Sequence, residues 1–188
     1  GSCDIYIADF SGGEWINIRN IGPNVNSAEW DSHPNITPDG KALYFTSNRK
    51  GGFGKSDLYV TRRLEDGTWT KAENLGPTIN TIEDEVTPFF HQVNQSFYFS
   101  STGHLKNLGG YDIYKARWLD DHWESPKNVG PLVNSPSNEY YFSIDGKGTR
   151  LFYASAKKDQ NKAEYQQNFD LYSFAMPMEA RPDAIVTL

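Results

Sequence analysis

The chain holds one cysteine, Cys3, and two methionines in 188 residues. A single thiol excludes an internal disulfide framework and any metal site built from several cysteines. Basic residues are outnumbered, 18 Lys and Arg against 24 Asp and Glu, for a net charge of −6, and they form no cluster. A nucleic-acid-binding face needs a basic stripe, so that class is excluded. No apolar run approaches the roughly 20 residues of a membrane-spanning helix. No window holds apolar residues at helical spacing for three turns, so no helix is predicted. The four histidines, His33, His91, His104 and His122, stand at no metal-ligand spacing from one another or from Cys3.

What the chain does have is a repeat. The heptapeptide Ile-Gly-Pro-Asn-Val-Asn-Ser at residues 21–27 returns as Leu-Gly-Pro-Thr-Ile-Asn-Thr at 75–81 and as Val-Gly-Pro-Leu-Val-Asn-Ser at 129–135. Asn26, Asn80 and Asn134 mark the copies at equal steps. A fixed period of this size means one supersecondary unit used repeatedly. Three further signatures recur in order. An apolar-aromatic run ends in small hydroxylic residues, as in Leu43-Tyr44-Phe45-Thr46-Ser47 and Phe97-Tyr98-Phe99-Ser100-Ser101. An Asp-aliphatic-Tyr triplet begins at Asp4, Asp57, Asp112 and Asp170, and a tryptophan precedes each Gly-Pro signature, at Trp15, Trp69 and Trp123.

Short runs rich in aromatic and β-branched residues, bounded by Gly, Pro, Asn and Asp, predict strands. The Asp39-Gly40, Asp66-Gly67 and Asp145-Gly146 pairs suit tight hairpins. Each unit therefore reads as four antiparallel strands, named A to D from the inside out. In the second unit A is about 32–37, B is 42–47, C is 57–62 and D is 68–73. Four short antiparallel strands repeated radially make a β-propeller, so the fold class is all-β. The blades divide as 1–26 (partial), 27–80, 81–134 and 135–177, the last without a clear outer strand. Residues 178–188 read as an exit linker or an extra strand. The strand count does not close a ring, and the first copy starts in mid-hairpin, so the expectation is an incomplete ring within a longer polypeptide.

Candidate chemistry is sparse. The repeated aspartates Asp4, Asp57, Asp112 and Asp170 are expected to accept backbone hydrogen bonds at the turn into strand C, and Trp15, Trp69 and Trp123 to cover blade edges. A second acidic column, Asp31, Glu85 and Glu139, recurs at the same step as the asparagines, at the start of strand A. Three carboxylates facing one axis would recruit a cation or a basic partner; the alternative is that each is satisfied within its own surroundings. His33 and His91 occupy nearby strand-A positions, where a shared central channel would bring them together, unless they serve only strand packing. The B–C hairpins carry Arg49, Lys50, Lys55, His104, Lys106, Lys157 and Lys158, a mixed basic fringe suited to a protein or glycan partner. No Gly-x-Ser-x-Gly nucleophile elbow is present, and no cofactor motif, so the chain is expected to be non-catalytic and cofactor-free.

The pattern from Pro34 to Tyr59, Pro-x-x-x-x-Asp-Gly-Lys-x-Leu-Tyr-Phe-x-Ser-Asn-Arg-x-Gly-Gly-x-Gly-x-x-Asp-Leu-Tyr in consensus, resembles the TolB-type, WD40-like propeller repeat. The stretch 69–81, Trp-x-x-x-x-Asn-Leu-Gly-Pro-x-Ile-Asn-Thr, resembles a subset found in OmpA-family and PorE-like outer-membrane-associated proteins of the Bacteroidetes, the latter belonging to the type IX secretion system. The third copy departs from the pattern, with Gln92-Val93-Asn94-Gln95 in place of the Pro-Asp-Gly turn, and in the fourth Phe142 stands where the others have Pro34 and Pro88. The resemblance implies a non-catalytic scaffold that binds protein partners of the cell envelope, periplasmic and outer-membrane associated. The alternative is a carbohydrate-binding or glycan-processing propeller. Against the latter, sialidase-type Ser-x-Asp-x-Gly-x-Thr-Trp turns are not matched by residues 143–150, which carry no tryptophan.

Overall fold

A computed structural model describes residues 3–93, 96–156 and 170–182. Its strands form successive antiparallel sheets. Blade 1 is the hairpin β1 (Tyr6–Ser11) and β2 (Glu14–Asn20). Blade 2 runs β3 (Asp31–Ile36), β4 (Ala42–Ser47), β5 (Asp57–Arg62) and β6 (Glu73–Asn74), each paired with the next. In blade 3, β7 (Glu85–His91), β8 (Ser96–Ser101) and β9 (Asp112–Leu119) are followed by β10 (His122–Trp123) and β11 (Lys127–Asn128). Both β10 and β11 pair with β9. Blade 4 is β12 (Asn138–Ile144), β13 (Arg150–Ala156) and β14 (Asp170–Ala175). The β-propeller architecture expected from the repeat is the one observed.

Strand B has an apolar-aromatic centre in blades 2 and 3 because that part is covered on both faces, and period-two alternation sends its residues to opposite neighbours. Leu43 and Phe45 of β4 pack toward blade 1 with Ile5 and Val25, whereas Tyr44 turns toward Phe97 and Phe90 of blade 3. In β8, Phe97 and Phe99 face blade 2 with Leu58 and Ile79, while Tyr98 joins Phe142, Ile144 and Leu151 of blade 4. The core is thus a set of layers between blades rather than one centre.

The repeat asparagines tie each blade to its outer turn. Asn80 donates Nδ2–H to the Leu58 carbonyl at 3.0 Å and accepts from the Leu58 amide at 2.8 Å. Asn26 does the same to Ile5 and Asn134 to Ile113. One side-chain amide thereby serves strand C as a neighbouring strand would. All three asparagines are buried, which explains why their spacing is held so strictly.

One expectation is corrected. Strand D is not continuous over 68–73: Trp69 makes an isolated bridge to Arg63, and regular pairing returns only at Glu73–Asn74. Between them the Thr70 amide still donates to the Arg62 carbonyl of strand C, but the other groups turn elsewhere. The Thr70 hydroxyl accepts from the Arg62 amide, the Thr70 carbonyl accepts from the Thr61 hydroxyl, and the Ala72 amide donates to the Asn24 carbonyl of the preceding blade. In blade 3, Pro126 falls in the same gap and has no N–H for a ladder. The segment after blade 4 also does more than lead out of the fold. It forms a short 3₁₀ turn, Met178–Ala180, and returns to blade 3, where the Ala180 carbonyl accepts from the Tyr98 hydroxyl and the Arg181 carbonyl from Lys115 Nζ. Residues 183–188, the proposed extra strand, lie outside the described residues.

Candidate functional site at the inner rim

The innermost strand A of blades 2, 3 and 4 carries a bulge. Register slips between Ser32 and Asn35 in β3, Val86 and Phe89 in β7, and Tyr140 and Ser143 in β12. At each slip one residue takes positive φ: His33 at 50°, Thr87 at 49° and Tyr141 at 54°. Non-glycine residues avoid this region, so its recurrence at matching positions marks a built feature of the fold. At the bulges His33 of blade 2 meets Tyr141 of blade 4, while Thr87 is buried and bonds the Ser100 hydroxyl within blade 3.

There, five rings form a continuous edge-to-face chain. Trp30 meets His33 at 5.1 Å, His33 meets Tyr141 at 5.3 Å, Tyr141 meets Tyr140 at 4.7 Å, and Tyr140 meets Tyr111 at 5.4 Å between centroids. Interplanar angles of 68–82° put ring edges against ring faces, the favoured electrostatic arrangement. The chain links blade 2 directly to blade 4 and leaves Tyr141 57% exposed. Burial holds the His33 imidazole neutral, with its pKa lowered to about 4, and its Nδ1 has no hydrogen-bond partner among the described residues. Of these five residues the sequence singles out only His33. The signal that could have found Tyr141 is the repeat step itself, which carries His33 to Thr87 and Thr87 to Tyr141.

The acidic column does not converge. Each carboxylate folds back onto the Ser or Thr four residues earlier. Asp31 accepts from the Ser27 amide and hydroxyl, Glu85 from those of Thr81, and Glu139 from those of Ser135. The backbone amides of the same three residues donate to Cys3, Ser56 and Tyr111 in the preceding blade. The acids therefore lock strand A of one blade against strand C of the last, and their side chains are spent on the turn. Among the described residues no three His, Cys, Asp or Glu side chains gather in a way that could hold a metal ion. His33 and His91 are not brought together either: His33 lies in the bulge, while His91 ends β7 and bonds the Asp145 carbonyl in blade 4.

Two of the three acids differ electrostatically. Asp31 is buried, which alone would raise its pKa, but hydrogen bonds from Ser47, Ser27 and Arg49 outweigh burial and hold it below the usual value. The Arg49 guanidinium lies 2.6 Å from Asp31 Oδ1, donates to the Val25 carbonyl, and sits over the Phe45 and Tyr59 rings at 5.1 and 4.6 Å. In blade 3 the same slot, between Phe99, Tyr114 and the Ile79 carbonyl, is filled by His104. Burial lowers the His104 pKa against the opposing bond to Ile79. Burial likewise raises Glu85, despite hydrogen bonds from Ser101 and Thr81.

The Asp-aliphatic-Tyr aspartates are placed at the B–C hairpin ends. Asp57 accepts from the amides of Phe53 and Gly54 and from Asn74 Nδ2. Asp112 accepts from the Leu108 amide and Asn128 Nδ2, and burial raises its pKa. Asp4 accepts from Asn20 Nδ2, and Asp170 is exposed at the start of β14. The tryptophans differ by blade: Trp69 is buried, Trp123 is half-buried against Phe97, and Trp15 is 68% exposed beside Phe10. Lys106 is exposed in the B–C loop, on the same face as the aromatic chain. Lys157 and Lys158 lie outside the described residues.

No family model matches the sequence, and no curated protein sequence matches it. Solved structures do. The chain is similar to a TolB-like protein from Agrobacterium tumefaciens, with a TM-score of 0.58 at 14% identity over 94% of this chain and 58% of that one. It is similar to an α-L-arabinofuranosidase from Lactobacillus brevis, with a TM-score of 0.57 at 14% identity over 88% of this chain and 59% of that one. The fold is a β-propeller. The chain spans somewhat under three fifths of the length of either structure, and at this identity the likeness is one of fold alone.

Proposed function

We propose that the chain is a non-catalytic, protein-binding propeller segment of a bacterial cell-envelope protein, periplasmic and outer-membrane associated, of the kind used in secretion assemblies. The observation that carries this reading is the aromatic chain from Trp30 to Tyr111 on the face that also bears Arg49 and Lys106. Tyrosine, tryptophan and arginine dominate the energetics of protein interfaces, because they desolvate large rigid surfaces while keeping a polar tip. The carboxylates beside this face are already held by the Ser and Thr of their own turns, so none is left as a free acid–base pair. The family resemblance of residues 34–59 and 69–81 supports the envelope setting.

The test is site-specific photo-crosslinking in envelope extract, with the probe at Tyr141 and, as a control, at Thr68 on the opposite face. One defined protein should crosslink at Tyr141 only, and Trp30→Ala should reduce its yield at least tenfold. Equal labelling from both positions, or hydrolysis of aryl glycosides or peptides by the purified chain, would overturn the reading.

A further inference from the structure

On the opposite face, blades 2 and 3 part to leave a groove of about 610 Å³. Pockets of roughly 300–1,000 Å³ suit small organic ligands. Its floor is the stacked pair Tyr44 and Phe90, 5.8 Å apart and within 6° of parallel. One wall is Trp118, set edge-to-face on Trp123 at 5.2 Å and 45% exposed. The other wall is the ion pair of Arg62 and Glu73, 3.1 Å apart, and Gln92 lies at the mouth. We infer that this groove binds a neutral oligosaccharide, with a sugar ring stacked on Trp118 and its hydroxyls shared between Arg62, Glu73 and Tyr44.

The inference rests on the match of chemistry. A sugar ring presents C–H groups on its faces and hydroxyls around its edge, and each hydroxyl both donates and accepts. The groove offers flat aromatic surface beside planar groups of both kinds: Arg62 donates, Glu73 accepts, and Gln92 does either. The Tyr44 hydroxyl, a proton donor at neutral pH like any phenol, makes no hydrogen bond among the described residues. The phenol lines the open groove, where it can donate to a ligand hydroxyl. A proline-rich peptide, the other common occupant of aromatic grooves, presents mainly carbonyl acceptors and would leave the Glu73 carboxylate facing acceptors.

The repeat supplies an internal comparison. The groove between blades 1 and 2 has about half the volume, 320 Å³, and Arg63, opposite Trp69, stands where Trp118 stands opposite Trp123. Of these two grooves only one has the aromatic wall, so it is not required for blades to pack. This site is independent of the inner rim, since the two lie on opposite faces.

The experiment is calorimetric titration of the chain with cellotetraose, xylotetraose, chitotetraose and maltotetraose, and with a proline-rich decapeptide. At least one saccharide should bind saturably at millimolar concentration or below. Trp118→Ala and Trp118→Arg should each weaken it at least tenfold, Tyr44→Phe should weaken it severalfold, and Tyr141→Ala should leave it unchanged. Trp118→Arg installs the residue found one blade earlier, and thermal melts of all variants confirm that they fold. Absence of binding by every saccharide, affinity undiminished in both folded Trp118 variants, or binding of the peptide in their place would overturn the inference.

Discussion

His104 fills in blade 3 the slot that Arg49 fills in blade 2. Both side chains lie against the strand-B phenylalanine and the strand-C tyrosine, and both bond the carbonyl of the aliphatic residue that precedes the repeat asparagine. Arg49 also neutralises Asp31, whereas Glu85 is held by neutral donors, Thr81 and Ser101. One architectural position is therefore ionic in one blade and neutral in the next.

This difference predicts opposite responses to neutralising the acids. Asp31→Asn should destabilise the fold by about 2 kcal/mol, because it leaves a partly buried guanidinium without its counter-ion. Glu85→Gln should be within about 0.5 kcal/mol of the parent at pH 7.5, since the amide oxygen still accepts from the Thr81 amide, the NH2 donates to the Thr81 and Ser101 hydroxyls in reversed bonds, and a charge that burial disfavours is shed. Urea denaturation of both variants measures the contrast.

Asn80→Ala should cost about 2 kcal/mol, as it strands the Leu58 amide in the core and leaves the Leu58 carbonyl only its bond from the Leu75 amide. The same change at Asn20, which is exposed, should cost well under half of that. Denaturant midpoints at unchanged slope would establish the difference.

Two half-buried histidines, His33 and His104, predict acid sensitivity. The His33 pKa is lowered to about 4, so between that value and the ordinary 6.5 the unfolded chain binds a proton that the folded chain does not. Stability from this group is complete above about pH 6.5 and falls as the pH drops toward 4, by up to about 3 kcal/mol. His104, also lowered, acts in the same sense, while Glu85 and Asp112, raised by burial, act against it. His33→Tyr, which copies Tyr141 at the equivalent bulge, should flatten the stability profile between pH 7.5 and 5.

Gly54→Ala should destabilise by more than about 2 kcal/mol. A methyl group there would lie 2.4 Å from the carbonyl oxygens of Thr81 and Glu83, where the B–C hairpin presses on the next blade's turn. Gly109→Ala should behave alike, with the Ser135 carbonyl at 2.2 Å. Gly146→Ala, with open space around it, supplies the comparison in a thermal melt.

The repeat is legible because its residues act locally and identically. Asn26, Asn80 and Asn134 must reach the same backbone groups in each blade, so spacing alone exposes them, and the aromatic strands B and C announce themselves by composition. Strand D escapes such a reading because the Thr70 carbonyl goes to a side-chain hydroxyl and the Ala72 amide to the preceding blade, and period and propensity carry no trace of such bonds. The acidic column is visible as a pattern, but its direction is not: the same spacing would suit three carboxylates meeting on an axis or three folded back on their own turns.

By itself, then, the amino-acid order determined the unit, its strand order and its propeller assembly, since alternation, turn chemistry and a fixed period are properties of neighbouring residues. Only the tertiary structure decided where function can reside. The rim joins His33 to Tyr141 two repeats further along the chain, and the groove sets Trp118 across from Arg62, two blades meeting edge to edge. Such meetings depend on the curvature of the ring and on the strand-A bulges, and no local pattern encodes either.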